Sequence, residues 1–321
     1  MKIGVLGAAD IARRRFLPAV KKCENVELAK IAVSSEGRIK AGQELTEQFG
    51  GEVVVGYDKL ISDSEIEAVY IPLPPSLHYE WAKVALDSGK HVFVEKPSTI
   101  KLEDTAKLVE IAKSKNLAIV ENYGFVHHPQ TKFIHKLIDD GEIGEIRNIR
   151  SAFGFPKRPF DDIRHKASLG GGALLDAGGY TIKAGFEFLG ETAEVVTASI
   201  NEINGYEVDM YGSLTMENIL GQTLQASFGM DNFYKCELEV WGSKGFIRAP
   251  RFYTAPDGFE PQIIVNTSEG ENNYSIDSAD QFLLQLKSFI RCIEDVTQRE
   301  IAYNMLEKQM EQLEYAFDLA K

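Results

Sequence analysis

Short apolar runs punctuate the first third of the chain: Ile3 to Leu6, Leu28 to Val33, Ala68 to Leu73, Val92 to Val94 and Leu117 to Val120. Amphipathic stretches of helical length separate them, among them Ser76 to Ser88 and Leu102 to Ser114. In the second of these, Ala106, Leu108, Val109, Ile111 and Ala112 gather on one side. Runs that are apolar throughout, rather than alternating, read as strands buried on both faces. Strands alternating with helices predict βαβ units, and right-handed crossovers then give a doubly wound parallel sheet over residues 1–122.

The texture changes after Asn122. Thr131 to Asp139 still reads as a helix, but Arg147 to Gly154 opens a strand region. Further on the period is two: Leu224, Ala226 and Phe228 alternate with polar neighbours, as do Cys236, Leu238 and Val240. That pattern predicts a mostly antiparallel sheet with one face buried. Leu306, Met310, Leu313 and Phe317 recur at helical spacing, a terminal amphipathic helix expected to pack back. The expected fold is α/β, with an N-terminal Rossmann domain over 1–122. A second α+β domain over 123–321 follows, built on a large open-faced sheet.

A chain of 321 residues accommodates two such cores. The net charge of −13 argues against nucleic acid or an anionic membrane as a main partner, though a local basic pocket for a small anion remains compatible. Cys23, Cys236 and Cys292 are too scattered to suggest a zinc site, and no metal is expected. Scattered free thiols, no signal-like apolar stretch before the first strand and no membrane-length segment lead to the expectation of a cytoplasmic protein.

Candidate chemistry collects where the predicted strands end. After the first, Gly7-Ala8-Ala9-Asp10-Ile11-Ala12-Arg13 places Gly7 at the sharp bend of a dinucleotide turn, with Ala9 and Ala12 at its other two small positions. The second strand ends in Ser34 and Ser35, followed by Arg38 and Lys40. Hydroxyls and a guanidinium suit a ribose 2′-phosphate and favour NADP, while Glu36 leaves NAD open. Leu73, Pro74 and His78 form the next exit, a stiff wall for the cofactor in which His78 reads as a helix-start or packing residue. Glu95, Lys96 and Asn122 emerge at the same edge.

With these pieces in order, the chain resembles the Gfo/Idh/MocA oxidoreductases. The likeness rests on Gly4 to Ala19, Pro74 to His78, Gly89 to Val92 leading into Glu95-Lys96-Pro97, and Leu169 to Asp176. It implies hydride transfer between NAD(P) and a sugar or related alcohol carbon, with Lys96 catalytic. The family's usual Asp-x-Gly-x-His stretch reads here Asp176-Ala177-Gly178-Gly179-Tyr180. Tyrosine in place of histidine resembles the branch of glucose–fructose oxidoreductase, dihydrodiol and xylose dehydrogenases, and nucleotide-sugar ketoreductases. Reducing a ketone builds negative charge on its oxygen, which a nearby acid must protonate and a positive charge stabilises. Tyr180 and Lys96 are candidates for those tasks, and Asp176 for orienting either group or binding a hydroxyl.

Candidate substrate contacts are Tyr123, Phe125, His127 and His128 beyond the last parallel strand, and Arg164. Arg164 lies in a loop that also carries Lys157, Arg158, His165 and Lys166, which suits an anionic substrate. The neighbouring Gly170-Gly171-Gly172 is expected to let the chain pass close to cofactor or substrate. Ala8 to Arg15, Phe153 to Pro156, Met230 to Leu238 and Phe252 to Pro256 resemble nucleotide-sugar 3-ketoreductases of deoxysugar pathways. The expectation is NADPH-dependent reduction of a keto group on a nucleotide-linked sugar, in a homodimer or homotetramer. A free-sugar dehydrogenase and a non-catalytic NADP(H)-binding regulator are the rival readings.

Overall fold

In the computed structural model, which describes residues 1–321, six strands form a wholly parallel sheet. They are β1 (Lys2–Leu6), β2 (Glu27–Val33), β3 (Glu52–Val55), β4 (Ala68–Ile71), β5 (His91–Val94) and β6 (Ile119–Glu121), in the order β3-β2-β1-β4-β5-β6. This is the doubly wound order with its switch point between β1 and β4. Ile3, Val5, Tyr70 and Phe93 pack into one core, and Leu6, Val69, Ile71, Val92 and Val94 into another. The uninterrupted apolar runs thus reflect burial of both sheet faces.

One strand escaped the sequence reading. β3 is four residues long, lies at the sheet edge and is only half-buried, between Gly50-Gly51 and Gly56. The apolar run that begins at Ala68 is therefore the fourth strand, β4.

A second sheet has eight strands: β7 (Ile146–Gly154), β8 (Glu194–Glu202), β9 (Asp209–Glu217), β10 (Thr223–Gly229), β11 (Lys235–Gly242), β12 (Gly245–Ala249), β13 (Gln262–Thr267) and β14 (Gly270–Ser275). Their order is β14-β13-β12-β11-β7-β10-β9-β8, antiparallel throughout except for β7 with β10. One face carries Ile149, Leu214, Leu224, Phe228 and Val240, all buried, and the other is rich in Ser, Thr and charged side chains. Period-two patterning encodes that division.

The chain divides into two units, 1–122 with 282–310 and 123–281 with 311–321. Leu286, Phe289 and Cys292 of helix Gln281–Glu294 join the first core of the parallel sheet, and Tyr303 and Leu306 of helix Val296–Leu319 join the second. Arg299, 4% exposed, secures the connection between the two helices. It donates to Cys292 O at 2.8 Å, Ile293 O at 2.7 Å and Asn116 O at 2.7 Å. Those first two acceptors are helix-end carbonyls that would otherwise lack donors. No helix is long and apolar enough to cross a membrane.

Candidate active site

The first unit gathers its candidates at the carboxyl ends of its strands. β1 runs into Gly7, whose φ of +97° favours glycine, and its N–H donates to Ala32 O at 2.7 Å. A Cβ there would lie 3.1 Å from Leu73 Cδ2, inside the space the bend leaves bare. Ala9 and Ile11 are half-buried and Ala12 is buried, in a helix that opens at Asp10 and includes a π turn over Ala12–Phe16. Asp10 accepts from Arg13 at 3.1 Å and Arg14 at 2.5 Å, so Arg13 already has a carboxylate partner. Ser34, Ser35 and Arg38 are exposed just beyond β2.

The chain on either side of Lys96 is held by hydrogen bonds. Glu95 N–H donates to Ile71 O, continuing the sheet one residue past β5. The Glu95 carboxylate receives the Tyr70 hydroxyl at 2.6 Å and the Asn122 amide at 2.7 Å, both on Oε1. Burial holds its carboxyl above the usual carboxylate range, an effect that those two donors, the Lys96 charge and the Lys96 N–H offset only in part. On the other side, Ser98 N–H donates to Glu121 at 2.7 Å.

His78 is fully buried, with Nδ1 2.7 Å from Pro97 O and Nε2 2.7 Å from Leu73 O. Burial takes its ring down to about 4, so it is neutral near pH 7. The ring has neither surface nor free nitrogen for a nucleotide, which corrects its placement among cofactor contacts. It packs between two exit loops instead, and as a neutral ring it donates its single N–H to one of the two carbonyls.

In the second unit, a π turn over Leu174–Gly178 leads into helix Gly179–Leu189, and this run carries Asp176 and Tyr180. π turns recur at functional sites. The half-buried Tyr180 ring has centroids of Phe153 at 4.9 Å, Tyr123 at 5.0 Å, Tyr253 at 5.7 Å and Phe125 at 6.1 Å. Tyr253 in turn hydrogen-bonds Ser151. Tyr123 and Phe125, at 1% and 0% exposure, are packing for Tyr180 rather than surfaces for substrate. His128, also 0% exposed, accepts from Gln130 N–H and caps helix Pro129–Asp139. His127 alone of this stretch's candidates keeps accessible surface.

Arg164 bridges two acids, Nε to Asp176 at 3.0 Å and Nη1 to Asp162 at 3.1 Å. Lys157 pairs with Asp231 at 3.2 Å, and His165 is buried against Tyr206. The loop is therefore less cationic than its basic residues suggest. The glycine run makes room for protein, correcting its reading as a passage beside ligand: a Cβ at Gly171 would strike Arg164 O at 2.3 Å, and one at Gly172 the Asp209 carboxylate at 2.3 Å. Asp209 accepts from Leu174 N–H at 2.7 Å, and burial pushes its carboxyl up to about 6.

Residues 1–123 match the oxidoreductase family with an NAD-binding Rossmann fold, and residues 131–248 match the GFO/IDH/MocA C-terminal domain. The chain belongs to the Gfo/Idh/MocA oxidoreductases. Among relatives in this family is the dTDP-3,4-didehydro-2,6-dideoxy-alpha-D-glucose 3-reductase of Saccharopolyspora spinosa. It is 39% identical over 91% of this chain and 87% of its own length. An NADP(+)-dependent D-xylose 1-dehydrogenase of Haloferax volcanii is 29% identical over 92% of this chain and 89% of its own. The crystal structure of a 3-ketoreductase from Actinomadura kijaniata in complex with NADP and TDP-benzene superimposes with a TM-score of 0.93. Its identity is 34%, covering 99% of this chain and 97% of that one. As a Gfo/Idh/MocA oxidoreductase the chain is an enzyme acting on CH–OH or C=O groups.

Proposed function

We propose that this enzyme reduces a keto group on a nucleotide-linked deoxysugar, using NADPH, with Lys96 and Tyr180 managing the proton. The observation that carries the reading is similarity over about nine-tenths of the chain to a 3-reductase of a dTDP-linked dideoxysugar, in a chain that has both Lys96 and Tyr180. Variants of the Actinomadura kijaniata enzyme with one lysine or one tyrosine replaced are also similar to this chain. Those two positions stand as far apart in its sequence as Lys96 and Tyr180 do here.

The bare bend at Gly7 fits a dinucleotide, and the exposed Ser34, Ser35 and Arg38 fit a 2′-phosphate. On this reading Gly7, Ala9, the first turn of the following helix and these three residues hold NADP(H), which supplies hydride. Leu73 and Pro74 wall its nicotinamide end. The Lys96 ammonium holds the substrate oxygen and stabilises the negative charge that grows there. The Tyr180 phenol delivers the proton as general acid. Asp176, oriented by Arg164, binds a sugar hydroxyl. The protein works in the cytoplasm as a homo-oligomer. The open face of the eight-stranded sheet, where Tyr211 and Trp241 are 44% and 49% exposed, is its contact surface.

The similarity to a D-xylose 1-dehydrogenase supports a second reading, oxidation of a free sugar with NADP⁺. One assay separates them: NADPH absorbance followed with dTDP-, UDP-, GDP- and CDP-linked ketosugars, alongside glucose and xylose with NADP⁺. Oxidation of NADPH by one linked ketone supports ketoreduction and names the carrier. Reduction of NADP⁺ by free sugar alone replaces it with the dehydrogenase. No turnover in either arm, with NADPH binding intact, favours a regulator.

A further inference from the structure

Tyr70 belongs to none of the sequence motifs. Its ring lies at 0% exposure in the middle of β4, stacked on Phe16 at a centroid distance of 3.7 Å and beside Phe93 at 5.4 Å. Packing of that kind needs only a phenyl ring, yet the hydroxyl donates to Glu95 Oε1 at 2.6 Å. The same oxygen takes the Asn122 amide at 2.7 Å, so two neutral donors from β4 and the end of β6 converge on one carboxylate oxygen. Glu95 is covalently next to Lys96, and its own N–H is held by Ile71 O.

We infer that Tyr70 is a positioning residue for Lys96, acting through the Glu95 carboxylate. The inference rests on the assignment of Lys96 to the reaction made above. A carboxylate fixed by two donors cannot rotate away, and the backbone that carries the lysine is then fixed at both ends of the loop, since Ser98 N–H is held by Glu121. A lysine displaced by about 1 Å can cost on the order of 10²-fold in rate.

The groups facing Glu95 are few. Tyr70 reaches it from β4, Asn122 from the end of β6 and Lys96 from its own loop. His78, from helix His78–Asp87, faces Pro97 and is uncharged above about pH 5. Losing the Tyr70 hydroxyl removes a donor that favours the ionised carboxylate, so Glu95 should hold its proton to higher pH.

Tyr70→Phe keeps the stacked ring and deletes only the donor. The expected result is a fall in kcat of roughly tenfold or more with KM for NADPH unchanged, and an acid limb of the kcat profile moved to higher pH. Carbon-13 NMR titration of glutamate carboxyls, with Glu95 assigned through Glu95→Gln, reads the same shift without turnover. A wild-type enzyme inactive on every substrate would count against the reading of Lys96, whereas the NMR shift would still bear on Tyr70. Wild-type kcat in Tyr70→Phe, or an unmoved Glu95 titration, would overturn the inference.

Discussion

Arg164 Nε lies 3.0 Å from an Asp176 oxygen while its Nη1 holds Asp162, so one guanidinium fixes an acid on the helix that carries Tyr180. A lysine has the charge and three donors but presents them from one nitrogen, without the planar fork that reaches the two carboxylates here through Nε and Nη1. Arg164→Lys should lower kcat/KM for the sugar substrate about tenfold while NADPH affinity is unchanged. Steady-state kinetics with fluorescence titration of NADPH checks this. An unaltered kcat/KM would mean that Asp176 does not depend on the arginine.

Tyr180 sits in a ring cage of Phe153, Tyr123 and Tyr253 that a phenylalanine would also fill. Tyr180→Phe should therefore fold normally and lose about 10² to 10⁴ in rate, with a changed pH–rate profile. Lys96→Met should bind NADPH nearly as well as wild type and turn over none. Near-full turnover in the lysine variant would remove Lys96 from the chemistry, and an unchanged profile in Tyr180→Phe would move the acid elsewhere.

Exposed Arg38, beside Ser34 and Ser35, is the candidate clamp for the 2′-phosphate. A charged hydrogen-bonding contact contributes about 1.5–3 kcal/mol, so Arg38→Ala should weaken NADPH binding by roughly 10- to 100-fold and leave NADH binding unaltered. Equal losses for both cofactors would place Arg38 on another part of the dinucleotide.

Asp209 is buried, and its carboxyl is raised to about 6 in the folded chain against about 3.9 when unfolded. The native state then binds the proton more tightly than the unfolded chain between those values. Stability therefore falls as pH rises from about 4 to about 6, by on the order of 3 kcal/mol, and the loss is complete above that window. Asparagine keeps an oxygen for Leu174 N–H and does not titrate. The Tm of Asp209→Asn relative to wild type should thus climb between pH 4 and 7. A flat difference across that range would show that Asp209 ionises at its ordinary pH.

Much of the architecture was legible because burial leaves a local trace. Strands covered on both faces are apolar throughout, and a half-covered sheet alternates, as at Leu224, Ala226 and Phe228. What was not legible depends on partners distant in sequence. β3 has too few residues and too little burial to stand out from its glycines. The parallel pairing of β7 with β10 joins Asn148 to Thr223, a register that no local pattern records. Lys157 looked cationic because its partner, Asp231, lies far along the chain. Tyr123, Phe125 and His128 looked like ligand contacts by residue type, but the chain folds them inward beneath Tyr180 and into a helix cap. Tyr70 was hidden within an apolar run, where an aromatic residue reads as core.

The central claim is hydride delivery to the ketone of a nucleotide-linked sugar. Stereospecifically C4-deuterated NADPH of each prochirality, incubated with the active linked ketosugar, tests it directly. Mass spectrometry of the product should find one deuterium on the reduced carbon with one of the two cofactors and none with the other. Product without deuterium from either cofactor, or label passing only to and from free sugars, would contradict the account.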